Sequence, residues 1–290
     1  MTDSLRIPVG PGALHVERYG FGDRPVVLLH GFGTSAFLWR AVAPLLPLGK
    51  VTAYAIDLFG FGESDRSLDA DYSIEAQVDY LDRALTVLRV ARADIVGLDF
   101  GAAVALALAA RRPARVRTLV LINPADPARL RGSDLSELQR LAARHLLDSE
   151  RGMLGATALL GPILEQGVAT ADRMPAALVG RYVAPYVGRD GVRHLLQLER
   201  AISDRAMERV EWEKITQPVL VVRGDQDGWV SPDVAATLAA RFTHGEHRRM
   251  SGAARLVPED APDALAAVLS AWINHEFPPS SPIGTAPRTD

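Results

Sequence analysis

Short uninterrupted apolar runs recur along the chain, separated by stretches whose apolar residues return every three or four positions. Pro25-Val26-Val27-Leu28-Leu29-His30 is one such run, and residues 51–56, 95–98, 116–122 and 219–222 repeat it. A strand that is apolar at every position is one covered on both faces, as in a sheet sandwiched between helices. Leu14-His15-Val16-Glu17-Arg18-Tyr19 alternates instead, which also predicts a strand. Ser73 is placed to cap a helix in which Ile74, Val78, Leu81, Leu85 and Leu88 share one face. Buried strands alternating with such helices predict an α/β protein with a mostly parallel, doubly wound sheet.

The alternation lapses between about Pro124 and Glu213, where the chain reads helical with glycine and proline punctuation. The expected division is therefore a core domain of residues 1–123 and 214–277 and a helical cap (lid) of residues 124–213. A tail of residues 278–290, rich in proline and serine, is expected to be disordered. An insertion at the carboxyl ends of sheet strands is well placed to cover a pocket.

Composition narrows the classes. With 290 residues, 48% hydrophobic and 23% charged, a substantial core is expected. A net charge of −3 gives no electrostatic reason to expect nucleic acid or an anionic membrane as partner. The absence of cysteine excludes disulfides, thiolate catalysis and Cys-ligated metal sites. No metal or cofactor is expected. The first residues carry no signal-peptide pattern and the longest apolar stretch, near 102–110, is too short for a bilayer, so a cytoplasmic protein is expected. Composition leaves the oligomeric state open.

Gly97-Leu98-Asp99-Phe100-Gly101 follows a predicted strand and opens a helix rich in small residues. A sharp strand-to-helix turn needs small neighbours, and it exposes its central side chain at a helix N-terminus, where negative charge is favoured. The plain alternative is an N-capping aspartate. With the strand, both glycines and the helix in place, Asp99 is the candidate catalytic carboxylate.

On these residues the chain resembles the α/β-hydrolase fold superfamily over about 6–277. Aspartate at the elbow is similar to the epoxide hydrolase and haloalkane dehalogenase branch. There the resemblance implies a carboxylate that displaces a leaving group from carbon, and an alkyl ester then hydrolysed by histidine-activated water. His30-Gly31-Phe32-Gly33 resembles the oxyanion motif, implying that the backbone N–H groups of Phe32 and Phe100 converge on one oxygen. The resemblance puts the acid of the triad at Asp227, with Asp225 and Asp126 as alternatives. Asp57-Leu58-Phe59-Gly60-Phe61-Gly62 reads as a hydrogen-bonded loop. His30 is expected to be structural first, with His30, Tyr182, Tyr186 and Trp229 as candidate substrate contacts. Pro185 interrupts the helix that would align the two tyrosines.

The departure lies in the final loop, Gly252-Ala253-Ala254-Arg255-Leu256-Val257-Pro258, where the register implied by the resemblance matches Arg255 to the histidine. A guanidinium cannot accept a proton but can pair with and orient a carboxylate, here Asp99 or Asp227. His145 and His194 lie in the insertion, and His194 is expected to be a solvated helix residue. His244 and His247 lie near the last strand, and His15 and His275 far from any predicted catalytic loop. The expected function is a non-hydrolytic catalyst acting by acid/base chemistry and positioning. Cyclisation, isomerisation or elimination of a small hydrophobic substrate would suit, as in bacterial specialised metabolism. The alternatives are an epoxide or carbon–halogen hydrolase using another base, and a ligand-binding pseudoenzyme.

Overall fold

A computed structural model describes residues 2–125, 155–188, 190–203 and 205–275. Asp126, His145 and the tail at 278–290 lie outside the described residues. The frame is one eight-stranded sheet in the order β1-β2-β4-β3-β5-β6-β7-β8. Its strands are β1 Thr2–Pro8, β2 Ala13–Gly20, β3 Arg24–Leu29, β4 Val51–Ile56, β5 Ala93–Leu98, β6 Val116–Ile122, β7 Val219–Gly224 and β8 Gly245–Met250. From β4 to β8 every pairing is parallel, while β1 and β2 form an antiparallel hairpin and β2 runs antiparallel to β4. The α/β, mostly parallel architecture is as expected.

Burial explains which runs were legible. Every residue of β5 and β7 is buried, as a strand sandwiched by helices requires. The edge strand β8 is exposed at four consecutive positions, 246–249. Polar β1 covers the other edge, and its sequence carries no apolar run.

Helix α1 (Ile74–Val87) begins as expected, with Ser73 Oγ accepting from the Ala76 N–H at 3.2 Å. Helix α2 (Phe100–Arg111) is buried from Phe100 through Ala110, so its small side chains face protein on all sides. Between β6 and β7 the described residues hold α3 (Ala156–Gln166), α4 (Ala176–Val183), α5 (Gly191–Ala201) and the short α6 (Arg205–Glu208). Helix α4 stops before Pro185, as the ring demands, and a 3-10 turn over Ala184–Tyr186 follows. The chain closes with α7 (Pro232–Ala240), α8 (Val257–Asp260) and α9 (Pro262–Asn274). Among the described residues no helix is long and apolar enough to cross a membrane.

Candidate active site

The elbow between β5 and α2 is built from close backbone approach. A Cβ on Gly97 would sit 2.3 Å from the Gly101 carbonyl oxygen, and one on Gly101 would sit 2.5 Å from that of His30. Only glycine allows the helix to pack so near the strands. The turn leaves Asp99 at φ +51°, ψ −111°. A non-glycine residue there carries strain of about 1–3 kcal/mol, which the surrounding fold must hold in place. The side chain forms no capping bond to its own helix, so the simple N-cap alternative fails.

Asp99 turns its carboxylate instead toward two donors. The backbone N–H of Phe32 donates to Oδ2 at 3.0 Å, and Arg255 Nη2 donates to the same oxygen as an ion pair. The two side chains expose only 15% and 6% of their surface, so water competes little for the pair. Every described hydrogen bond to this carboxylate goes to Oδ2. Phe100 heads α2 with its ring buried and tilted against Phe61 at 5.8 Å. Phe61 in turn meets Phe32 edge-on, so both residues of the expected oxyanion pair share an apolar wall.

Arg255 is positioned from three sides. Its guanidinium carbon lies 4.4 Å from the centre of the Trp229 ring, a cation–π contact. Asn123, at φ +42° just after β6, donates through its amide to the carbonyls of Ala254 and Arg255 at 2.9 and 2.8 Å. Its side-chain oxygen accepts from the Gly224 N–H at 2.9 Å, tying the loop to the end of β7. Asp260 accepts from the N–H groups of Ala254 and Ala169, which fastens the loop to the residues after α3. Sequence reasoning passed over Asn123. Its only signal was an asparagine at the end of a buried strand, a residue type that tolerates positive φ.

Asp227 follows β7 with one oxygen used and one bare. Oδ1 accepts from the Trp229 N–H at 2.8 Å and more weakly from Val230 at 3.4 Å. Oδ2 is buried without a hydrogen-bond partner. Burial raises the Asp227 carboxyl above the ordinary range, against the opposing pull of its backbone donors and of Arg255. Asp225, the neighbouring alternative, spends its Oδ1 on the Gly252 N–H at 2.9 Å and is a turn lock.

Two of the expected substrate contacts have their polar atoms engaged within the protein. His30 is fully buried, donates from Nδ1 to the Gly31 carbonyl at 2.8 Å and accepts at Nε2 from the Leu58 N–H at 3.1 Å. With both ring nitrogens committed and its pKa lowered by burial, it clasps two loops. Tyr182 donates its hydroxyl to Glu259, which also receives a bidentate pair from Arg40 at 2.7 and 2.8 Å. That ring joins α4 to α8. Trp229 serves first as the platform under Arg255. The Tyr186 hydroxyl, by contrast, is buried without a partner, and its ring stacks on His194 at 6.2 Å. His194 is itself buried rather than solvated, bonding the Gly60 carbonyl at 2.8 Å. No described hydrogen bond brings an imidazole to Asp99 or Asp227.

Comparison with known proteins identifies the family. A haloalkane dehalogenase of Mesorhizobium japonicum is 28% identical over 289 residues, covering 92% of this chain and 90% of that protein. An esterase of Mycobacterium tuberculosis is 29% identical over 262 residues, covering 89% and 85% respectively. The crystal structure of a loop variant of a haloalkane dehalogenase from Bradyrhizobium elkanii superposes with a TM-score of 0.76 at 26% identity, over 94% of this chain and 96% of that one. A family described as alpha/beta hydrolase fold matches residues 24–262. The chain belongs to that family, and it is an enzyme of the alpha/beta hydrolase fold.

Proposed function

We propose that the chain is a hydrolase of small apolar organic electrophiles in which Asp99 attacks a saturated carbon bearing halogen or an epoxide oxygen. The observation that carries this is the strained elbow carboxylate with both described bonds on Oδ2. That arrangement leaves Oδ1 to attack while Oδ2 is held where negative charge is stabilised. The haloalkane dehalogenases among the relatives support the same direction. In this reading Arg255 stands where the relatives' histidine would, and the helices between β6 and β7 serve as the cap.

Asp99 Oδ1 bonds to carbon as the carbon–halogen or carbon–oxygen bond breaks; a halide departs with its electron pair, whereas an epoxide oxygen keeps the pair, stays on the substrate and takes up a proton from water. Water then attacks the ester carbon of Asp99. Asp227 takes the proton of that water on its bare Oδ2 and returns it to the departing alkoxide. The tetrahedral oxyanion is met by the N–H groups of Phe32 and Phe100 and by Arg255. A carboxyl raised by burial is a stronger base once ionised than a solvated one.

A second reading is favoured by one observation, the ion pair that takes up Oδ2 where proton relay would be needed. In it the site performs cyclisation, isomerisation or elimination by positioning, which can supply about 7–11 kcal/mol at the favourable limit. Incubation with 1-haloalkanes and terminal epoxides, with halide or diol release and intact mass followed together, separates the two. Continuous product release supports hydrolysis. One stable equivalent on Asp99 means attack without ester turnover, and neither adduct nor product leaves the positioning catalyst.

A further inference from the structure

Ser4, His15 and Asp57 meet at the β1–β2 edge of the sheet, apart from the elbow. In the hairpin register Ser4 faces Glu17 and Arg6 faces His15, so Ser4 lies diagonal to His15 across the ladder. Val16 pairs with Ile56, which sets His15 beside Asp57, whose N–H donates to the His15 carbonyl at 3.0 Å. The imidazole completes the line, with Nδ1 2.8 Å from Asp57 Oδ2 and Nε2 3.1 Å from Ser4 Oγ.

The acid is fixed and the serine is accessible. Asp57 accepts from the N–H groups of Ala36 at 2.5 Å and Glu63 at 2.8 Å and is 1% exposed, while Ser4 is exposed. A carboxylate only accepts, so the neutral ring carries its proton on Nδ1 and turns the Nε2 lone pair toward the serine hydroxyl. A cavity of about 210 Å³ opens beside the ring, lined among others by Glu17, Phe37, Glu63, Arg66 and Arg181.

We propose that Ser4 is a nucleophile served by His15 as general base, and that this edge is a second site, independent of Asp99, which transfers acyl groups from activated esters to water. Ser4 Oγ bonds to the acyl carbon, His15 Nε2 takes the hydroxyl proton, and the alcohol leaves with that proton. Water then attacks the acyl-serine ester, gives a proton to His15, and Ser4 recovers it on release of the acid. Asp57 is a positioning residue, acting through the ring. Ser4 lies on the exposed face of β1, so an ester reaches its hydroxyl from solvent, while the cavity adjoins the ring and Asp57.

The ring must be neutral to act. Its pKa is raised above 6.5, chiefly by the Asp57 hydrogen bond and also by the Glu63 and Glu17 carboxylates, against the effect of burial. Arg66 and Arg181 line the same cavity. Acylation is therefore expected to rise with pH through a midpoint above 6.5.

The test is labelling of the full chain with p-nitrophenyl acetate and with a fluorophosphonate, and digestion to locate the adduct. The expected result is an adduct on Ser4 that forms equally in Asp99→Asn, disappears in Ser4→Ala and forms about 100-fold more slowly in His15→Gln. No Ser4 adduct, or one whose rate is unchanged in His15→Gln, overturns the proposal. Should His15→Gln fail to fold, the unaltered chain decides alone: Ser4 labelling that is flat between about pH 5.5 and 8.5 also overturns it.

Discussion

Asp99 and Asp57 each follow a strand of the same sheet at its carboxyl end, yet they have acquired opposite partners. Asp99 is held by a guanidinium and one backbone N–H. Asp57 is held by an imidazole and two backbone N–H groups. The first partner can fix a carboxylate but cannot relay a proton, and the second can do both. The acid alone therefore does not define the chemistry of either place. In the proposed function Asp99 is the reactive carboxylate, whereas the acid that holds an imidazole is Asp57.

The largest effect expected from breaking this contrast comes at the elbow. Asp99→Asn removes the attacking oxygen while keeping the shape of the turn, and product release from haloalkanes or epoxides should fall by about 10⁴-fold or more, with no mass adduct. Undiminished turnover in that variant would end the nucleophile reading. Next comes Asp227→Asn, expected to slow ester breakdown by about 10²–10⁴-fold and to trap the alkyl group on Asp99. The acid limb of the unaltered enzyme's pH profile should lie above the ordinary carboxylate range, because burial raises Asp227. Arg255→His makes the two places alike by bringing an imidazole to Asp99. Ester turnover should rise by about 10-fold or more, and a loss of turnover would show that the guanidinium itself is needed.

How much of this could be read before folding depended on burial. Strands β3 to β7 announced themselves because covered strands must be apolar throughout, as Val219–Gly224 shows. Strand β1 did not, since Thr2-Asp3-Ser4 lies on an exposed edge and pattern arguments weigh only apolar runs. Missing β1 meant missing the hairpin register that brings Ser4 to His15, while the pairing of β2 with β4 sets His15 beside Asp57. Asp57 was legible as a loop holder, which its bonds to Ala36 and Glu63 bear out. Its imidazole partner came from a strand paired across the sheet. The pairing of Arg255 with a carboxylate was an expectation of the final loop and is seen at Asp99, whereas its support by Asn123 is a contact across 132 positions. Long-range partners of this kind leave no local pattern. The same is true of Tyr182, whose hydroxyl looked available until α4 docked on Glu259.

The imidazole side of the contrast can be probed through stability. The raised pKa of His15 means that its pairing with Asp57 contributes fully below the unfolded value near 6.5 and loses that contribution as pH climbs through the folded value. The melting-temperature advantage of the native chain over His15→Asn should shrink as pH rises between about 5.5 and 8.5. An advantage that grew with pH would mean that burial outweighs the neighbouring carboxylates and lowers the pKa of the folded ring, as it does at His30.

The smallest effect belongs to Tyr186. Its hydroxyl is buried and lacks a partner, and burial raises its pKa despite the nearby Arg66. An orphaned donor of this kind is a cost to the folded state, so Tyr186→Phe should leave stability unchanged or increase it by up to about 1 kcal/mol, measured by urea unfolding. If the hydroxyl instead donates to a departing epoxide oxygen, the same variant should lose epoxide turnover and keep haloalkane turnover, since a halide leaves without needing a proton. Equal loss on both substrates would point to packing against His194. A clean split would place an acid opposite Asp99 and leave Arg255 with charge stabilisation alone.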